Sequence, residues 1–138
     1  MPGTGSSAHE GIADDGRVHQ YVDFPDTAHA NGILEQGNRW AEVCQKAGHP
    51  ELAVRNPNGV TWSLETEDFN DPNWPVSDAT FGAVVRRSRV AILHFPSIRV
   101  LTGHYVISPK TRSCPWPRWR DTGKLGRLAG VLGLELVL

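Results

Sequence analysis

The chain has 138 residues, 14 Lys/Arg against 15 Asp/Glu, and an apolar fraction of 39%. That length suits one domain spanning 1–138 with a single modest core. No apolar run approaches the roughly 20 residues a membrane helix needs, so no membrane insertion is expected. The near-zero net charge hides a split: residues 1–78 hold 4 Lys/Arg and 13 Asp/Glu, whereas 79–138 hold 10 and 2. A basic half can serve a nucleic acid. The basic residues form no dense run, so the halves are expected to neutralise each other, with no nucleic-acid partner. Residues 1–10 lack the basic and apolar regions of a Sec-type signal peptide. Synthesis in a reducing compartment then leaves Cys44 and Cys114 without a disulfide.

Asp14-Asp15-Gly16 is an Asp-Gly turn signal between residues 8–13 and the alternating stretch 17–24, which together predict a hairpin. Ile33, Leu34, Trp40, Ala41, Cys44 and Ala47 recur at helical spacing, predicting a helix over 31–47 that Gly48 and Pro50 terminate. Residues 59–67 alternate as a strand that puts Glu65 and Glu67 on the face shared by Thr61 and Ser63. A loop over 68–75 follows. Ser77 is a good N-cap for a helix over 78–93, whose later turns carry Arg86, Arg87 and Arg89 as the helix dipole prefers. A short strand over 98–102, a loop over 103–120 and a final helix over 124–132 complete the chain, with a strand or tail after it. Interleaved strands and helices predict an α/β or α+β class.

The densest chemistry lies in 102–115, TGHYVISPKTRSCP. Imidazole and thiolate are both zinc ligands, so His104 and Cys114 can converge on a metal. Spacing alone suits two ordinary loop residues better. Likewise Glu65 and Glu67, taken alone, read as solvated acids on a half-buried strand. His19 reads as an exposed strand residue, and His49 and His94 as helix-end residues.

The same segment resembles the last zinc loop of the zinc-dependent N-acetylmuramoyl-L-alanine amidases, a family that includes phage amidase endolysins and peptidoglycan recognition proteins. There a Gly-His opens the loop, Ser-Pro or Ala-Pro follows and Cys-Pro or Asp-Pro closes it. Three further segments resemble the family in order. They are 7–32, with Ser-Ala-His, the Asp-Gly hairpin, Gln-Tyr-Val and the His-Ala of His29; 56–67, NPNGVTWSLETE; and 74–89, beginning Trp-Pro-Val-Ser-Asp. The resemblance implies a mixed central β-sheet flanked by helices and Zn2+ on His104 and Cys114. It implies Glu65 as catalytic acid and base, Arg112 stabilising the oxyanion where many members have lysine, and His29 on the substrate side. It implies peptidoglycan or muropeptide as partner. The absence of a signal peptide suits location in the cytoplasm before release and action on the bacterial cell wall, as for a bacteriophage endolysin, and equally a cytoplasmic muropeptide-recycling enzyme.

Two residues depart from the pattern: Tyr105, where an acid is common, and Trp116, where glycine is common. The family's first strand, which ends in a zinc-ligating His, has no match upstream of Ser7. The expectation is therefore an incomplete zinc site. The chain is N-terminally truncated, or His29 (first choice) or His9 (second) supplies the third ligand, or catalysis is lost and peptidoglycan binding is kept. The absent strand is also expected to leave the strand at 8–13 with an open edge for self-association. A remaining reading uses Trp116 and Trp119 as base-stacking residues of a nucleic-acid module.

Overall fold

The structure, a computed structural model, describes residues 8–24, 26–28, 36–110, 114–115 and 117–138. The hairpin forms as predicted, with shorter strands: β1 (Glu10–Ile12) pairs antiparallel with β2 (Val18–Gln20). Gly16 turns the chain at φ +88°, and a Cβ there would meet the Ala79 carbonyl oxygen at 3.0 Å. Only glycine satisfies both the left-handed backbone and the close approach.

The predicted helix at 31–47 starts later than its periodicity suggests. Residues 31–35 lie outside the described residues, and the described helix is α1 (Trp40–Lys46). Gly37 is left-handed at φ +84°, and Asn38 Oδ1 accepts from Trp40 N at 3.0 Å. A helix cannot run back through that turn. The predicted stop holds: Gly48 is at φ +80°, and His49 N donates to Cys44 O. Single 3-10 turns at Pro50–Val54 and Pro57–Gly59 follow, so the strand predicted over 59–67 contracts to β3 (Leu64–Thr66).

The long helix α2 (Asp78–His94) begins at its predicted cap, with the Ser77 side chain accepting from Thr80 N. Ser77 Oγ also donates to Asp14 O at 2.6 Å, and Thr80 Oγ1 to Ala13 O at 3.0 Å. The cap thereby ties α2 to the hairpin turn. Phe81, Ala83 and Val84 join the core cluster with Ile12, Trp40, Val43, Trp119, Leu125 and Leu128, and Ala91 is buried as well. Beyond α2 come β4 (Val100–Thr102), α3 (His104–Ile107), α4 (Lys124–Leu132) and β5 (Glu135–Val137). The α3 turn corrects the loop predicted over 103–120: buried Val106 and Ile107 anchor it, and Ser108 N closes it on His104 O.

The sheet is mixed, as predicted. β1 lies between β2, antiparallel, and β3, parallel. β4 and β5 pair in parallel as a second, two-stranded sheet. The open edge expected at 8–13 is thus not there, because β1 is hydrogen-bonded on both sides. Ser63 O accepts from His9 N, and Glu67 N donates to Ile12 O. Alternate residues point to opposite edges, so the backbone of Leu64 and Thr66 faces the outer edge of β3. Charges do pair across the two halves of the sequence, in Glu10–Arg87 and Lys46–Glu135. No helix among the described residues is long and apolar enough to cross a membrane.

Candidate functional site

Glu65 sits mid-strand on β3, its side chain on the face opposite Leu64 and Thr66. The residue is exposed, yet surrounding protein desolvates its carboxyl enough to push the pKa above the ordinary glutamate value. Glu67 plays a different part. Its Oε2 accepts from Asp14 N at 2.9 Å, so it fastens the hairpin turn to the end of β3.

His104 opens α3, half-buried, and Cys114 is exposed. Tyr105 N donates to Cys114 O at 2.9 Å, which brings the backbone beside His104 next to that of Cys114. The Cys114–Pro115 peptide is cis. Cys44 and Cys114 form no disulfide with each other, and burial raises the pKa of Cys44. His29 and Arg112 lie outside the described residues.

His9, the second choice for a third zinc ligand, is not available for that role. It is buried, its Nδ1 accepts from Ser63 N at 3.2 Å, and its Nε2 donates to Asp26 O at 2.9 Å. Both ring nitrogens are committed to backbone. The other histidines are accounted for locally: His19 stacks on Tyr21, His49 Nδ1 meets Glu51 Oε1 at 3.0 Å, and His94 stacks on Phe24 with centroids 4.5 Å apart. Among the described residues no group of three His, Cys, Asp or Glu side chains could hold a metal ion. A catalytic zinc site takes three protein ligands and one open position. The described donors, His104 and Cys114, fall short of that.

The sequence reading missed Arg118. It is 5% exposed, and its Nη1 donates to Glu67 O at 2.7 Å and Thr66 O at 3.3 Å. Burial lowers its pKa from the usual guanidinium value, while Asp68 and Asp14 oppose that shift. Beside it, Trp119 is 3% exposed, stacks on Phe81 and donates from Nε1 to Thr66 Oγ1 at 3.0 Å. A tryptophan so buried cannot stack on a nucleobase, which overturns that use of Trp119; Trp116 lies outside the described residues. The Trp-rich composition of 116–119 was the available signal for burial here.

No protein-family model and no curated protein matches the sequence. Among solved structures, the crystal structure of a selenomethionine AmpD derivative superimposes with a TM-score of 0.63 at 23% identity, over 89% of this chain and 59% of that one. The chain therefore spans about three-fifths of the length of AmpD, and its mixed sheet flanked by helices is an AmpD-like fold.

Proposed function

We propose that this chain hydrolyses the amide between N-acetylmuramic acid and L-alanine in peptidoglycan or muropeptides, with Glu65 as general base and acid. The observation that carries this reading is the likeness to AmpD, an N-acetylmuramoyl-L-alanine amidase, over most of the chain. Glu65 on β3, and the His104 and Cys114 segments that a Tyr105 N to Cys114 O bond joins, support this reading together with the family pattern. In the proposed reaction the Glu65 carboxylate takes a proton from water as the water oxygen bonds to the amide carbon. It returns that proton to the alanine nitrogen as the C–N bond breaks. A carboxyl whose pKa is raised is a stronger base near neutral pH, as this role needs. Oxyanion stabilisation by Arg112 and substrate contact by His29 belong to the same proposal, as do release from the cytoplasm and endolysin-like action on the wall. Two described donors do not make a zinc site.

That two-donor set favours a second reading, a peptidoglycan-binding domain without hydrolysis. One experiment separates the two. Muropeptides are incubated with the protein, with added zinc and with chelator, and the freed alanine amine is quantified alongside co-sedimentation with insoluble peptidoglycan. Amine release that Glu65→Gln abolishes supports hydrolysis. Co-sedimentation without release leaves the binding reading, and neither result rules out both.

A further inference from the structure

We propose that Arg118 and Trp119 are positioning residues that lock the Glu65 strand to the Cys114 loop; the inference rests on the catalytic reading of Glu65. Both follow Cys114 within five residues of chain. Trp119 N donates to Pro115 O at 3.2 Å, which ties the pair back to the residue beside Cys114. Their side chains then reach β3. Trp119 Nε1 holds the Thr66 hydroxyl, and Arg118 Nη1 holds the carbonyls of Thr66 and Glu67, the two residues after Glu65.

The grip falls where it leaves the carboxylate clear. The Thr66 carbonyl lies on the outer edge of β3, and the Thr66 side chain lies on the face opposite Glu65. The anchor is rigid, because Trp119 is buried against Phe81 of α2. Arg118 is more than a packing residue. Its Nε and Nη2 are buried without a hydrogen-bond partner in the described structure. A buried guanidinium with unused donors is costly, and an aliphatic side chain would fill the space without that cost. What the charge supplies is a strong donor to two carbonyls at the end of the strand.

The test centres on the near-isosteric Thr66→Val, since Arg118→Ala can simply unfold. Thr66→Val deletes the indole–hydroxyl bond and keeps the packing; Trp119→Phe deletes the same bond but leaves a cavity at a buried position. Both variants and their combination are compared with the wild type in muropeptide kinetics and in the NMR titration of the Glu65 carboxyl without substrate. A catalytic group displaced by about 1 Å loses on the order of 10²-fold in rate. Each single variant is therefore expected to lose between about 10-fold and 10²-fold in kcat with KM close to wild type, while the melting temperature stays close to wild type for Thr66→Val and falls for Trp119→Phe. The double variant should lose no more than either single one, and the Glu65 titration should move down towards the ordinary carboxylate value. Unchanged kcat and unchanged Glu65 titration in folded variants would overturn the proposal. If the wild type cleaves no muropeptide, the amidase reading fails; the titration then decides the lock alone, and a Glu65 carboxyl insensitive to both variants overturns it.

Discussion

Arg87 holds Glu10 through two parallel hydrogen bonds of 2.8 Å, Nε to Oε1 and Nη2 to Oε2, in the middle of the sheet. Glu10 is 1% exposed, whereas Arg87 reaches the surface and lies over the Phe24 ring. Removing the arginine strands a buried carboxylate. Arg87→Ala is expected to cost about 3–5 kcal/mol, while replacing both partners with apolar side chains of similar volume costs far less. Urea denaturation of the two variants checks the contrast, and equal losses would contradict it.

His9 makes stability depend on pH. Burial lowers its pKa below 6.5, and Ser63 N needs its Nδ1 unprotonated. The unfolded chain therefore binds the proton first as pH falls. Stability should be full above about pH 6.5 and decline as pH drops from there through the lowered folded pKa. His9→Asn should flatten that decline in thermal melts between neutral and mildly acidic pH. An unchanged slope would remove His9 as the cause.

Glu65 and Glu67 lie two residues apart but should fail differently. Glu65→Gln is expected to lose on the order of 10²–10⁴-fold in hydrolysis. It should not lower stability at neutral pH, because it removes a carboxylate that burial disfavours. Glu67→Gln weakens the acceptor for Asp14 N, so it should lower the melting temperature while leaving most activity. Parallel activity and melting measurements suffice, and matching activity losses would refute the assignment of the base.

With His104 and Cys114 as the described donors, zinc binding by this chain should be weak. A metal present at 100 times its Kd stabilises a fold by about 2.7 kcal/mol. Micromolar zinc is expected to give much less, and chelator should leave the melting temperature nearly unmoved. His104→Ala with Cys114→Ala should erase whatever zinc response remains. Tight stoichiometric binding would mean that a third donor, His29 first, completes the site.

Local signals were legible in the sequence and non-local ones were not. Gly16 and Ser77 impose their turn and cap through their own backbone and side chain, so the hairpin and the start of α2 stand where predicted. The bounds of α4 also match, since its apolar stripe lies between Gly123 and Gly133. The start of α1 was missed because the apolar spacing of 31–39 says nothing about the left-handed turn at Gly37. The interior position of β1 depends on β3, far along the chain, and no local pattern reports it. Glu65, His104 and Cys114 were singled out through the family resemblance and not by any local pattern. Arg118 was not, because its role exists only where the 118–119 segment meets the end of β3.

The parallel pairing of β1 with β3 carries a cost in time. His9 and Ser63 meet across 54 residues, and Thr102 and Val137 across 35. Each pair must close a long loop before its contacts stabilise anything, whereas the hairpin closes through one tight turn. The expected order is the hairpin and α2 first, each by its own local contacts; the parallel pairs come later, as do the Ser77 and Thr80 ties to the hairpin turn, which span 63 and 67 residues. The strand that carries Glu65 would then be among the last parts of the molecule to acquire its native neighbours.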